Sequence, residues 1–231
     1  MILLAPLWKT SLGKKVVMAV TGAILLLFVV GHLVGNLQIY IPDGGVKINA
    51  YGRLLHSNLA LLWTVRTVMM GCVLLHLIAA TALTIQNWKA RPVGYARKSW
   101  READYAARTM VIGGPIIALF VVGHLLHFTT GQVHPDFKLQ AEVAGAAPHL
   151  PDVHHNVVTG LQDPLPAALY VVALVMLGLH LFHGGWSLFQ SLGINHPKWT
   201  PVIKGLMGAL AVFVTAGNLS IPVCVFLGLV R

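Results

Sequence analysis

The stretch VVMAVTGAILLLFVVGHLVGNLQI, residues 16–39, sets the class of this protein. It carries no charged side chain, and at about 1.5 Å per residue it outreaches a hydrocarbon core of about 30 Å. Four more apolar runs follow, at about 59–85, 109–128, 165–189 and 202–229. Each is long enough to span, and the interior prolines Pro115 and Pro222 are tolerable where neighbouring groups satisfy the freed carbonyls. The expected fold is therefore all-α: one polytopic membrane domain over residues 1–231 with five transmembrane helices.

Composition agrees. Of 231 residues, 56% are hydrophobic and 10% charged, against about 25% charged in an ordinary soluble domain. Mean hydropathy is +0.75. These values exclude a soluble enzyme, a disordered chain and a coiled coil. The two cysteines, Cys72 and Cys224, both lie in apolar runs. That excludes a disulfide scaffold, a zinc site and a cysteine-ligated cluster within the chain.

The net charge of +9 reads as topology, with no nucleic-acid partner. Lys9, Lys14 and Lys15 precede the first span. Lys89, Arg91, Arg97, Lys98, Arg101 and Arg108 follow the second, and Lys198 and Lys204 follow the fourth. The opposite loops hold Lys47, Arg53, Lys138 and Arg231, with five of the seven acids. The positive-inside rule then puts the N-terminus in the cytoplasm and the C-terminus outside. The expected location is the cell's inner (plasma) membrane, multi-pass and in contact with lipid. No cleavable signal peptide is expected, because the first run starts after Lys15, is too long and lacks a small-residue cleavage site. The longest loop, about 131–164, is expected to fold over the outer end of the bundle.

Twelve histidines against seven acids is an unusual balance. Four successive spans carry deep ones: His32; His76; His124 with His127; His180 with His183. An ionisable group at that depth is costly and needs a partner. His32 lies 16 residues past Val16 and His124 lies 15 past Thr109, both from the inner side. His76 lies 17 past Leu59 and His180 lies 15 past Leu165, both from the outer side. Depth thus pairs His32 with His124 and His76 with His180. Histidines facing across a bundle at two levels are what two six-coordinate b-type haems require.

Small residues fall in register. His32 sits in Gly31-His32-Leu33-Val34-Gly35, Gly184 is four residues past His180, and Ala80 four past His76. These share the histidine faces, where a porphyrin plane can lie. His127 and His183, each three residues on, roughly share those faces too. Spacing leaves open whether they ligate, bond a propionate, line a quinone pocket or are ordinary satisfied polar groups. Arg66, the one charge inside a span, lies about 15 Å outward of His76 and is expected to meet a propionate of the outer haem; the competing reading is a snorkelling side chain. His56, His134, His149, His154, His155 and His196 are read as loop or span-end groups, with His56 the one near a span's outer end.

The stretches SLGKKVVMAVTG (residues 11–22), GHLVGNLQ (31–38), LWTVR (62–66) leading to His76, GHLLHFT (123–129) and LHLFHGGW (179–186) together resemble the single-chain, di-haem cytochrome b subunit of succinate dehydrogenases and fumarate reductases. The resemblance spans nearly the whole chain. It implies that His32 and His124 ligate the distal haem b and His76 and His180 the proximal one. Its pattern of His, Gly at i+4 and an aromatic at i+6 matches His180, Gly184 and Trp186. It implies a flavoprotein and an iron–sulfur subunit on the cytoplasmic side and a quinone, by family tendency menaquinone; whether the complex forms a higher oligomer is left open by the sequence. The chain would be the electron-transfer and quinone-binding subunit, with no dicarboxylate site of its own. A glutamate inside a span, used by some relatives near the distal haem, has no counterpart, since Glu102 and Glu142 are both in loops. The alternatives are a cytochrome of hydrogenase or formate dehydrogenase type and a haem-free transporter with a histidine proton relay.

Overall fold

The computed structural model describes residues 8–93, 103–134, 136–137 and 150–231. Arg97, Lys98, Arg101, Glu102, Lys138, Glu142 and His149 lie outside these residues. The described residues form seven α-helices: α1 Ser11–Asn36, α2 Val46–His56, α3 Leu59–Lys89, α4 Tyr105–His124, α5 Val153–Gln162, α6 Pro164–Ser191 and α7 Thr200–Phe226. A 3₁₀ turn, Leu37–Tyr40, prolongs α1, and a π-helical turn, Leu125–Thr129, prolongs α4. Five of these segments, those built on α1, α3, α4, α6 and α7, are long and apolar enough to cross a membrane.

Four of the five spans start where polar caps place them. Thr10 accepts from the Gly13 amide, Asn58 from Leu61, Asp104 from Ala107 and Asp163 from Leu165. Each cap satisfies an amide that a helix start would otherwise leave open. This is why α1 and α4 begin several residues before their apolar runs. The last span is the exception in the other direction. α7 stops at Phe226 and the chain turns at Gly228, whose φ of +70° suits glycine.

α1 packs along α3, and α4 along α6; α1 also meets α6, and α7 lies against α6 and touches α1. Lys14 donates to Gln86 at 3.3 Å, joining the start of α1 to the end of α3. Tyr40 donates to Ser220 at 2.8 Å, joining the end of α1 to the late part of α7. The bundle thus has an N-terminal end and an opposite, far end. Its outward faces are apolar: Leu27 and Leu119 are each 74% exposed, while the imidazole-bearing His127 is 6% exposed. An apolar rim around buried polar groups is the arrangement a lipid solvent favours.

Two helices were invisible as apolar runs. α2 and α5 are short, polar-faced helices that close the far end, so part of the 131–164 loop does cover the bundle there. Ile39, Ile48, Val158, Leu161, Ile221, Val225 and Val230 form the core beneath them. Asn49 ties the pair: its Nδ2 donates to Asp152 at 3.0 Å and its Oδ1 accepts from the His154 amide at 3.1 Å.

Close helix crossings rest on glycine. A Cβ at Gly178 of α6 would strike the Thr215 side chain of α7, and one at Gly217 would come within 2.9 Å of Leu33. Small residues at such crossings let backbones approach and gain dispersion contacts. Gly178→Val is expected to destabilise the bundle by about 1–3 kcal/mol through overpacking, read as a lower melting temperature in detergent. Gly205→Ala, where a Cβ meets nothing within 4 Å, is the matched control and should not lower it.

Candidate functional site

The deep histidines come together as two pairs. The ring centroids of His32 (α1) and His124 (α4) lie 5.8 Å apart at an interplanar angle of 89°. Those of His76 (α3) and His180 (α6) lie 6.1 Å apart at 61°. Each pair therefore bridges from the α1–α3 side to the α4–α6 side. The two levels are well separated. His76 bonds to α1 at Met18 and Thr21, and His32 is 11 residues beyond Thr21, or about 16 Å of helix. On α6, Tyr170 meets His124, and His180 lies ten residues on, or about 15 Å. The two helices give the same spacing.

His76 is the most firmly seated ring. Its Nδ1 lies 3.1 Å from the Met18 carbonyl oxygen and 3.2 Å from Thr21 Oγ1. A carbonyl only accepts, so Nδ1 carries the proton and the neutral ring keeps its lone pair on Nε2. Thr21 can accept because its own proton goes to the Val17 carbonyl at 2.7 Å. Gly22 makes room: a Cβ there would lie 3.2 Å from His76 Cε1. Neither Thr21 nor Gly22 stands out as functional in sequence, because the partner ring is more than fifty positions away and only helix packing joins them.

His180 is the ring that meets His76. His183, three residues on, points elsewhere: its Nδ1 is 3.8 Å from Asp104 Oδ1, and its ring packs edge-on to Trp186 at 5.6 Å. Lys204 caps the other side of this group, with Nζ 4.1 Å from the Trp186 ring centre. The Nδ1 atom of His180 is buried without a hydrogen-bond partner among the described residues.

His127 likewise leaves the pair layer. It lies in the π turn that follows His124, and it is His124 that meets His32. His127 stacks on Phe128 at 4.1 Å and on Phe137 at 5.4 Å, and its Nδ1 lies 3.2 Å from the Tyr170 hydroxyl. His32 stacks on Phe28 at 5.6 Å. His56 is satisfied within α2, its Nδ1 lying 2.8 Å from the Gly52 carbonyl oxygen.

The register glycines divide. A Cβ at Gly31 or at Gly184 meets nothing within 4 Å, and Gly31 is exposed. Gly35 has another use, for Tyr51 of α2 fills the space beside it. Arg66 is half-buried and lies over Trp63 at 5.2 Å, a cation–π contact. Among the described residues it makes no ion pair and no contact with His32 or His124. Trp63 also lines a shallow hollow with Ala60, Thr64, Thr67 and Val68 on the outside of α3.

The donor set narrows the chemistry. Among the described residues no group of three or more histidine, cysteine, aspartate or glutamate side chains could hold a metal ion. The histidine pairs offer two neutral imidazoles each, enough only for a metal that brings its own equatorial ligands. With a metal–imidazole bond of about 2.0 Å and a ring centre roughly 1.1 Å behind its nitrogen, two coaxial ligands have centroids about 6.2 Å apart. Both pairs approach that separation. No protein-family model, curated protein or solved structure matches the chain.

The pairing is expected to be measurable by cross-linking. His32→Cys combined with His124→Cys, and His76→Cys combined with His180→Cys, should each react with a short bismaleimide. His32→Cys combined with His180→Cys should not, and a cross-link there would contradict the two-level arrangement.

Proposed function

We propose that this chain is the membrane-anchor, di-haem cytochrome b subunit of a succinate:quinone oxidoreductase, of the succinate dehydrogenase and fumarate reductase type. His32 and His124 would hold one haem b, and His76 and His180 the other. The observation that carries the reading is the pair of imidazole couples, 5.8 and 6.1 Å apart, stacked about 15 Å apart along the bundle. Haem supplies one-electron transfer when bound. The chain's own residues supply the rest: α1 seats His76 through Met18 and Thr21, Gly184, one turn past His180, leaves space beside that ring, and the apolar spans exclude water.

In this reading the basic N-terminal end faces the cytoplasm and docks the iron–sulfur and flavoprotein subunits. Electrons pass between that end and membrane quinone, by family tendency menaquinone. Arg66 faces a propionate of the far-level haem, which gives the half-buried guanidinium the anion that no described side chain provides. A haem-free proton relay through the same rings is the competing reading. The His76 geometry opposes it, because the Nδ1 proton is committed to a backbone carbonyl that cannot pass a proton on.

Redox titration of membranes tests the assignment. His32→Ala and His124→Ala are each expected to remove the same component, and His76→Ala and His180→Ala the other, while His183→Ala retains both. Arg66→Leu should lower the potential of the far-level component alone, since the lost positive charge favours the reduced form. Loss of different components within a pair would overturn the ligand assignment.

A further inference from the structure

Tyr170 occupies a position that the pairing of histidines does not explain. Its hydroxyl lies 3.1 Å from His124 Nδ1 and 3.2 Å from His127 Nδ1. It is thus shared by two imidazoles carried on either side of the junction between α4 and the π turn. A hydroxyl has one proton to give and lone pairs to receive with. The Tyr170 hydroxyl has no other hydrogen-bond acceptor among the described residues, so its proton goes to one ring, and the other ring must donate to bond the same oxygen. If His124 ligates through Nε2, its Nδ1 must carry the proton. The order is then fixed: His124 Nδ1–H donates to Tyr170, and Tyr170 O–H donates to His127 Nδ1.

The surroundings hold this order in place. Phe120 packs edge-on against Tyr170 with centroids 4.9 Å apart. His127 stacks on Phe128 and Phe137, which also stack on each other, and its Nε2 would lie 2.8 Å from a Cβ at Gly160 of α5. The far-end cap thus fixes His127, His127 fixes the Tyr170 proton, and Tyr170 faces His124.

We infer that Tyr170, backed by His127, is a positioning residue that sets the orientation and basicity of His124 and through it the potential of the far-level haem. The inference rests on the di-haem reading above. A ligand imidazole that donates its second N–H becomes a stronger electron donor, and a hydroxyl that itself donates onward accepts more strongly. Both effects stabilise the oxidised metal. The near level has a different arrangement, with His76 tied directly to a backbone carbonyl, so side-chain replacements at Tyr170 or His127 should not reach it.

The test is a redox titration of the purified, haem-loaded protein and of three variants, with the haem content of each measured. Tyr170→Phe should raise the potential of the far-level component. His127→Leu should raise it by less, because the Tyr170 contact to His124 survives. His127→Asn, whose Oδ1 can take the place of Nδ1 as acceptor, should return it towards the wild-type value. The near-level component should stay fixed in all three. An unchanged far-level potential in loaded His127→Leu and Tyr170→Phe, or a shift in the near-level component instead, overturns the inference while leaving the di-haem reading standing. A wild-type protein without haem overturns the di-haem reading, and the inference with it.

Discussion

The constraint on which this structure depends is the cost of placing imidazoles where water cannot reach them. A polar group in hydrocarbon without a partner costs several kcal/mol, and this bundle carries such groups on four of its five spans. The fold answers by bringing several of the rings to a defined neighbour, while His180 Nδ1 stays without a hydrogen-bond partner among the described residues. His76 reaches a carbonyl and a hydroxyl of α1, His124 and His127 share Tyr170, and His183 turns to Asp104 at the mouth of α4. After these partners are counted, the paired rings His32 with His124 and His76 with His180 still face each other across the bundle. That residue of unspent donor capacity is the part of the molecule that calls for a ligand.

The rest of the architecture serves the alignment. α7 carries no histidine, yet it holds several of the most deeply buried side chains, Val214, Pro222 and Val225. It braces α6 through the Gly178–Thr215 crossing and α1 through Leu33 on Gly217. Those two helices each contribute one ring to a different level. The far-end cap of α2 and α5 supplies Ile48, Val158 and Leu161 to the continuous apolar core and also fixes His127. An error of one helical turn in either place would move a ring by about 5.4 Å and dissolve a pair.

Much of this was legible in the chain itself. Five uncharged or nearly uncharged runs of twenty residues or more have few folds open to them, and a fixed rise per residue turns histidine position into depth. That is why the two pairs could be read before any helix was placed. What escaped the sequence depends on packing between distant segments. α2 and α5 have too little apolar length to declare themselves. Thr21 and Gly22 look like ordinary span residues until His76 is laid against them. Tyr170 sits in an apolar run where an aromatic is unremarkable, and the π turn that separates His127 from His124 has no signature in GHLLHFT. Gly35 misled in the other direction: it lies in register with His32, but its open side is taken by Tyr51.

The central claim is that two imidazole couples exist to hold two haems. The most direct measurement is the pyridine haemochrome content of the purified chain, expressed against protein determined by amino-acid analysis. The account predicts two haem b per chain. One haem, or none, would contradict it.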